Sequence, residues 1–233
     1  MMPTALKKQF YLHAQKAKHK QLVAKTLSVI QDMPATNPYI SVSGGKDSSV
    51  ILSLCRQIDA DMPAVFYDVQ ANYPATEILL DTYQNLIRIK SVSRLEELAK
   101  DGVHLKTASN DSLIDEYKFD GFFYGIRADE AKGRFKSAQV RGYTFRKKQS
   151  QLWVCQPLIW WTSVDVWAYI VDQDLAYNAL YDRMWDRPVH SQRIASYTNN
   201  RAGNYGSIAY MRMVHPELFN KVAKASSDFR EMC

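Results

Sequence analysis

One stretch decides the fold of this chain: residues 39–52, with the sequence YISVSGGKDSSVIL. The pattern predicts a short strand, a glycine turn and the start of a helix. Gly44 and Gly45 lack a Cβ atom, so the backbone can adopt positive φ angles and turn its N–H groups toward an anion. Ser48 and Ser49 are predicted to open the helix, whose N-terminus presents unpaired N–H donors and a partial positive charge. The stretch therefore predicts a phosphate-binding loop.

Two charged residues, Lys46 and Asp47, directly follow the glycines. We expect the lysine to contact a polyphosphate and the aspartate to offer a carboxylate to Mg²⁺. The spacing is not G-x-x-x-x-G-K-[ST], which excludes the ordinary mononucleotide loop and its γ-phosphate chemistry. A plain strand-to-helix turn is the alternative, but it would need neither the serines nor the charged pair.

Residues 43–48, SGGKDS, resemble the S-G-G-x-D-S loop of the PP-loop ATP pyrophosphatases, a superfamily that cleaves ATP between the α and β phosphates. The resemblance implies ATP and Mg²⁺ as ligands. It places the nucleotide on Ser41, Val42, Ser43, Gly44, Gly45, Lys46, Asp47 and Ser48.

Length and composition indicate one folded α/β domain with a small helical appendage. The chain has 233 residues, of which 46% are hydrophobic. Its apolar runs are short, and its N-terminus lacks the apolar core of a signal peptide, so we expect a cytoplasmic protein without membrane contact. Cys55, Cys155 and Cys233 have neither zinc nor iron–sulfur spacing, so neither group is expected. The first two are expected in the core, and Cys233 as a reactive thiol.

The net charge of +6 is unevenly distributed. Basic residues concentrate in the N-terminal segment and in residues 141–148. The latter stretch is either a solvated, charged edge strand or a nucleic-acid contact, in which Tyr143 and Phe145 would stack on bases. Its candidate phosphate-binding residues are Arg141, Arg146, Lys147 and Lys148.

Hydrophobic patterning predicts alternating strands and helices beyond the glycine loop. The predicted elements are a helix over 4–32, a helix from the loop to about residue 58, a buried strand at 64–68, a helix at 75–85, a strand at 86–92, a helix at 94–100 and a strand at 121–127. This order predicts a doubly wound, mostly parallel sheet. Its ligand crevice is expected at the carboxyl ends of the strands.

Asp68 ends the second predicted strand and is therefore expected in the crevice. Residues 68–76 resemble the D-T-G-x-x-F-P-E-T segment of the phosphoadenosine phosphosulfate (PAPS) reductase branch of the superfamily. The resemblance adds Asp68 and Val69 to the nucleotide site, although Val69, Gln70 and Ala75 depart from the pattern. As an alternative, Asp68 would only cap the following segment.

Residues 125–134 resemble the G-x-R-x-x-E-S-x-x-R motif of the same branch, with Ala131 in place of the serine. The resemblance places Gly125 and Arg127 at the nucleotide, and Arg127 and Arg134 at the α-phosphate and the substrate anion. Together with Lys46 and Asp47, these arginines are the predicted catalytic residues. A surface ion pair with Glu130 is the alternative role.

Residues 157–182 resemble the P-L-x-x-W-T-x-x-D-V-W-x-Y-I…N-P-L-Y-D block of the family. Thr162, with Asp165 three residues later, predicts a helix start, and the tryptophans are expected in the core. The resemblance spans residues 38–182. It implies an adenine nucleotide alpha hydrolase-like fold over residues 37–182, with helical additions at 1–36 and 183–233.

Three functions are compatible with these motifs: an ATP-consuming activator in sulfur transfer, a PAPS or APS reductase, and a non-catalytic nucleotide-binding partner. Reductases of the family resemble one another in an E-C-G-x-H segment, whereas this chain reads Glu231-Met232-Cys233. Among the ATP users, small sulfate adenylyltransferase subunits and the ATP pyrophosphatases of DNA phosphorothioation are both similar. We favour the latter, with DNA and a cysteine desulfurase or another sulfur donor as partners; a homodimer is left open.

Overall fold

The computed structural model of the protein describes residues 1–68, 72–90, 116–194 and 211–225. Two helices, α1 (Thr4–Ala14) and α2 (Ala17–Gln31), come first. The next elements are β1 (Pro38–Val42), α3 (Lys46–Ile58), β2 (Ala64–Asp68), α4 (Pro74–Leu80), β3 (Leu86–Lys90), β4 (Gly121–Tyr124), α5 (Lys132–Arg141), β5 (Thr144–Arg146), β6 (Trp153–Cys155), α6 (Ser163–Asp172) and α7 (Pro216–Ala225). Short 3-10 turns cover Ala128–Glu130, Ala179–Arg183 and Val189–Ser191.

The six described strands form one sheet in the order β3-β2-β1-β4-β6-β5. All neighbouring pairs are parallel except β5 with β6. From β1 the chain proceeds to β2 and β3 on one side and to β4 and β6 on the other. Ligands of such sheets bind at the carboxyl ends of the strands where this reversal occurs, which here is between β1 and β4. The predicted mostly parallel α/β fold is confirmed.

The strands of the sheet centre are buried on both faces, which explains why their sequences do not alternate. On one face, Ile40, Phe66 and Phe123 belong to the large core to which α1, α2, α3 and α6 also contribute. On the other face, Val65 and Phe122 belong to a second cluster. The expectation that residues 64–68 form a doubly buried strand is thus met at Val65 and Phe66, which are 0% and 4% exposed.

The prediction of a single helix over residues 4–32 was wrong. Lys16 is extended, with ψ at 138°, and it separates α1 from α2. The break lets His13 and His19 both bind Oδ1 of Asp165, at 2.8 and 3.3 Å. In one continuous helix, positions six apart would point about 120° away from each other and could not meet one oxygen.

His13, His19 and Asp165 also qualify as possible metal ligands, because their donor atoms lie within 4.8 Å of one another. The sequence argument against zinc considered only cysteine spacing and did not foresee this cluster. Hydrogen bonds to Asp165 already account for the position of both imidazoles.

The predicted start of α6 is confirmed. Thr162 caps the helix and accepts a hydrogen bond from the backbone N–H of Asp165, while the Asp165 carboxylate accepts from Thr162 in return. Trp161 and Trp167 lie in the core as expected, at 1% and 0% exposure. Trp160 does not: it is 39% exposed.

Other boundaries differ from the predictions by a few residues. α3 begins at Lys46 rather than at the serines, α4 ends at Leu80 instead of residue 85, and β4 ends at Tyr124 instead of residue 127. Val69, Cys233, the end of the third predicted strand and the helix predicted at 94–100 lie outside the described residues. Within the described ranges, the helices all fall short of the length and apolarity needed to cross a membrane.

Candidate functional site

The glycine loop occupies the carboxyl end of β1. Gly44 has φ +71°, which confirms the expected left-handed conformation. A Cβ atom there would also come within 2.7 Å of Cγ2 of Thr76. The same expectation was wrong for Gly45, whose φ is −85° and whose added Cβ would meet the nearest atom, Oγ of Ser43, at 3.4 Å. Of the two glycines, only Gly44 has a backbone conformation that requires a glycine.

The serines of the loop bind its own backbone. Oγ of Ser48 accepts a hydrogen bond from the N–H of Ser43 at 3.2 Å and donates to the carbonyl of Gly45 at 2.8 Å. Ser49 donates to the same carbonyl at 3.1 Å. These bonds tie the two sides of the turn together and fix where its remaining N–H groups point.

Lys46 and Asp47 contact each other in the first turn of α3. Nζ of Lys46, whose side chain is buried, lies 3.0 Å from Oδ2 of Asp47 and donates to the carbonyl of Gln192 at 3.3 Å. The other oxygen, Oδ1, accepts from Nε of Arg127 at 2.5 Å. These two contacts hold the ammonium of Lys46 in place and leave one of its three N–H donors for a phosphate.

The contacts of Asp47 fit a magnesium ligand poorly. Mg²⁺ prefers near-octahedral oxygen ligands, and both oxygens of this carboxylate already accept hydrogen bonds from cations. The magnesium role of Asp47 stays a prediction, and the geometry assigns the carboxylate to holding Arg127.

Arg127 is the most deeply buried cation of the site, at 1% exposure. Its guanidinium contacts Asp47 and Asp129, both at 2.5 Å, and lies 3.9 Å from Glu130. Burial by itself lowers the pKa of Arg127, but the three carboxylates raise it overall. The result is a fixed positive charge beside the loop. The strand end that leads to Arg127 can lie this close to the loop only with a glycine at position 125, because a Cβ there would come within 2.7 Å of the carbonyl of Asp47.

Arg134 lies further out, and its guanidinium pairs with Glu130. The ion pair considered from the sequence is therefore present. It does not exclude anion binding, because the Arg134 side chain is 40% exposed. Arg193, which was not predicted from the sequence, donates to the carbonyl of Glu130 at 3.0 Å. Arg134 and Arg193 thus both lie at the outer edge of the site.

Two residues of the C-terminal block hold the loop in place. Asn178 donates from its amide to the carbonyl of Gly44 at 3.3 Å and to Oγ1 of Thr76 at 2.9 Å. Tyr181 accepts from the backbone N–H of Lys46 at 3.1 Å. From the sequence, this block indicated the family but no contact with the site. The asparagine and tyrosine of its N-A-L-Y-D segment were the available indication of a contact with the site.

Asp68 ends β2 next to the loop, as expected, since Val42 and Phe66 are register partners in neighbouring strands. Its Oδ1 accepts from the side-chain amide of Asn72 at 2.7 Å, whereas the helix that follows has Tyr73 at its N-cap position and no side-chain cap. The nucleotide role of Asp68 stays a prediction. Val69, the other residue predicted from this motif, is outside the described part of the chain.

The basic stretch at 141–148 is only partly at the crevice. β5 runs antiparallel to β6, with Thr144 opposite Cys155 and Arg146 opposite Trp153. Arg141 and Thr144 therefore lie toward the carboxyl ends of the parallel strands, while the chain from Arg146 onward leads away from them. The antiparallel direction of this edge strand thus places Arg141 nearer the crevice than Arg146. The nucleic-acid role of the four basic residues stays a prediction.

The cations of this stretch also contact aromatic rings. Arg141 lies over Phe145 at 4.8 Å, and Lys147 lies over Phe122 at 4.8 Å. Burial lowers the pKa of the Lys147 ammonium. The stretch thus combines the charged edge strand with the aromatic neighbours that the sequence suggested.

The sequence profile of the family described as "Phosphoadenosine phosphosulfate reductase domain" matches residues 37–208. The chain belongs to this family. The match includes the glycine loop, the Arg127 segment and the C-terminal block, so the residues gathered around the crevice are those of the family domain.

Similar proteins include an uncharacterized protein and subunits of sulfate adenylyltransferase. An uncharacterized protein of Methanocaldococcus jannaschii is 28% identical, over 91% of this chain and 54% of its own length. Sulfate adenylyltransferase subunit 2 of Brucella anthropi is 27% identical, over 70% of this chain and 65% of its own length. The chain thus spans about half to two thirds of these relatives.

Among solved structures, Candida glabrata FMN adenylyltransferase superposes with a TM-score of 0.56, covering 76% of this chain and 65% of that chain. Yeast FAD synthetase gives 0.53, over 79% and 70%. At 15% and 17% identity these likenesses show the fold alone. They agree with the predicted mostly parallel α/β fold.

Proposed function

We propose that this protein is an ATP pyrophosphatase that cleaves ATP between the α and β phosphates in order to activate an acceptor for sulfur incorporation. The main support for this proposal is the position of the S-G-G-K-D-S loop at the sheet crevice. Gly44 of the loop has the left-handed conformation, and Asp47 holds Arg127 beside the loop. Membership of the PAPS reductase domain family supports nucleotide use.

The residues have separate roles in this proposal. Loop N–H groups and Lys46 bind the β and γ phosphates, which leave as pyrophosphate. Arg127 binds the α-phosphate, where negative charge develops as the acceptor oxygen attacks phosphorus. Asp47 keeps that guanidinium oriented, and Arg134 binds the acceptor anion. The terminal sulfur of a persulfide then attacks the activated acceptor, and AMP leaves with the acceptor's former oxygen. A thiol finally reduces the S–S bond that still joins the sulfur to its donor.

For the acceptor we propose a phosphate of the DNA backbone, which this chemistry would convert to a phosphorothioate. The net charge of +6 and the absence of any acidic residue from 131 to 164 support a polyanionic substrate. The sulfur would come from a cysteine desulfurase. Neither described cysteine is suited to carry sulfur, because both are buried, and burial raises the pKa of Cys55 well above its usual value and that of Cys155 to about 12.

Sulfate is a second candidate acceptor, favoured by the relatives named sulfate adenylyltransferase subunit 2. Sulfate would attack the same α-phosphorus, and the product would be adenylyl sulfate in place of AMP. A reductase role would depend on Cys233, which lies outside the described residues. A purely nucleotide-binding role would leave ATP intact.

One assay separates these functions. Purified protein is incubated with ATP labelled at the α-phosphate, alone, with sulfate, and with DNA plus a cysteine desulfurase and cysteine. We expect AMP and pyrophosphate, with sulfur entering the DNA in the last mixture. Adenylyl sulfate in the second mixture would support sulfate as the acceptor, and ADP with free phosphate would reject the proposed cleavage.

A further inference from the structure

Phe135 and Trp160 form an exposed aromatic pair. Their ring centroids lie 5.9 Å apart with the planes at 83°. The side chains are 46% and 39% exposed, whereas the adjacent Trp161 is 1% exposed. Phe135 belongs to α5, which follows β4, and Trp160 lies five residues beyond the end of β6. Both follow the carboxyl end of a parallel strand, which is the edge of the sheet that holds the glycine loop.

A chain of contacts joins this aromatic pair to the loop. Phe135 directly follows Arg134, which pairs with Glu130. The Glu130 carboxylate accepts from the backbone N–H of Arg127 at 3.2 Å, and Arg127 pairs with Asp47 in the loop. Phe135 therefore lies on the helix whose Arg134 shares the Glu130 carboxylate with Arg127 of the proposed α-phosphate site.

The charged residues of α5 itself all have one sign. α5 contains four basic and no acidic residues, namely Lys132, Arg134, Lys136 and Arg141. Among its side chains only Ala138 is buried, so the helix presents its cations and Phe135 to solvent. A solvated charged helix would account for the cations. It would not account for an exposed phenylalanine beside an exposed tryptophan.

We propose that the Phe135–Trp160 pair is a stacking platform for a base of single-stranded DNA, whose phosphates the cations of α5 bind. Rings that receive bases and cations that follow the backbone are the two elements of single-strand recognition. A base inside a duplex is covered by its neighbours and offers no open face, so the platform selects an unpaired nucleotide. This rests on the proposed function, and it specifies that the acceptor strand is unpaired at the site.

The test uses a fluorescently labelled oligothymidylate, a duplex of the same length and an oligouridylate. Affinity is measured at several salt concentrations for the parent protein and for Phe135→Ala, Trp160→Ala and Trp160→Phe. Tyr11→Ala removes an exposed ring on α1 and serves as the matched control. Thermal unfolding verifies that each variant is folded.

We expect the single-stranded DNA to bind at least about tenfold more tightly than the duplex. Each alanine variant should weaken binding at least about fivefold, the usual effect of losing one stacked base. The dependence on salt should stay unchanged, because the phosphate contacts remain. Trp160→Phe keeps a ring and should bind nearly as the parent does, but it should abolish the quenching of tryptophan fluorescence. Tyr11→Ala should behave as the parent in every respect.

Several outcomes would overturn the proposal: no oligothymidylate binding at low salt, equal or tighter binding of the duplex, tighter binding of the oligouridylate, or parental affinity in both alanine variants. A shift from dimer to monomer in Phe135→Ala, without loss of DNA binding, would assign the pair to a second copy of the chain instead. The AMP assay without DNA is interpreted separately. If AMP forms but DNA does not bind, the platform fails and the proposed cleavage stands; if DNA binds but no AMP forms, the reverse holds.

Discussion

Tyr181 accepts a hydrogen bond from the backbone N–H of Lys46 across 3.1 Å, although the two residues are 135 positions apart. Its ring also lies 5.6 Å from Nζ of the same lysine. Burial and the nearby Asp47 charge raise the pKa of the Tyr181 hydroxyl, so it stays protonated. The C-terminal block thus supports the first turn of the helix that forms the phosphate-binding end of the site.

Tyr181→Phe should loosen the loop without emptying the core. It leaves the buried N–H of Lys46 without this partner, which costs about 1 to 3 kcal/mol. We expect a free energy of unfolding lower by that amount in urea, and a higher KM for ATP. Tyr177→Phe is the matched control, because the Tyr177 hydroxyl donates to Asp182 at 2.7 Å instead. Equal KM values in both variants would contradict the supporting role.

The two glycines of the loop should respond differently to alanine. Gly44→Ala forces a Cβ into a left-handed residue and to within 2.7 Å of Thr76, so we expect at least about 1 kcal/mol of destabilisation and a loss of ATP binding. Gly45→Ala meets only ordinary contacts at 3.4 and 3.6 Å and should remain folded and bind ATP. Calorimetric ATP titration of both variants measures this contrast, and equal behaviour would refute it.

Arg127→Gln should be far more damaging than Arg134→Gln. Removing the buried guanidinium leaves Asp47 with Lys46 as its remaining cation and takes this partner from Asp129, and breaking a buried ion pair costs about 3 to 5 kcal/mol. Arg134 pairs with Glu130 at the surface, where such a pair contributes about 1 kcal/mol or less. Arg127→Lys keeps the charge and loses the fork geometry, so it should regain stability but little AMP formation. Similar unfolding curves for the Gln variants would count against the buried network.

Local chemistry made the loop, the start of α6 and the buried parallel strands predictable, because each depends on neighbours in the sequence. Thr162 and Asp165 cap the helix regardless of the rest of the fold. The break after α1 was not predictable, since it follows from two histidines meeting Asp165, about 150 residues later.

The same limit applies to the site. The positions of Gly44, Arg127 and Asp68 followed from motifs and from the rule that strand ends form the crevice. The roles of Asn178, Tyr181 and Arg193 depend on long-range packing that no local pattern reveals. The direction of β5 was not predicted, because a sequence pattern does not distinguish a parallel from an antiparallel edge strand.

Acid should weaken the junction of α1, α2 and α6. Burial alone raises the pKa of Asp165, but hydrogen bonds from His19, Thr162 and His13 hold it well below its usual range. The folded pKa is therefore the lower one, so this stabilisation is fully present above the unfolded pKa of about 3.9 and is lost as the pH falls toward the folded value.

The substitution Asp165→Asn tests the predicted direction of this pH dependence. The difference in free energy of unfolding between parent and variant should be largest near neutral pH and should shrink as the pH falls below about 4. Urea titrations across that range measure it. The exposed Asp186 offers a control, and Asp186→Asn should run parallel to the parent. A difference in the free energy of unfolding that stays constant with pH would show that the stabilisation does not depend on the charge of the Asp165 carboxylate.

The last prediction concerns the basic residues beyond β5. β5 is three strands from β1, about 14 Å away, and Arg146 to Lys148 lie on the side where the chain leaves the crevice. If DNA crosses α5 first, a short strand of about six nucleotides should fill the site without reaching these residues.

A variant with Arg146, Lys147 and Lys148 changed to alanine should therefore bind such a short oligomer as the parent does. It should bind a strand of about 30 nucleotides more weakly and with a smaller salt dependence, since each lost phosphate contact on a single strand lowers the slope by about 0.7. Lys132→Ala with Lys136→Ala should weaken both lengths. If the triple variant loses the short oligomer as well, the strand enters over β5 and not over α5.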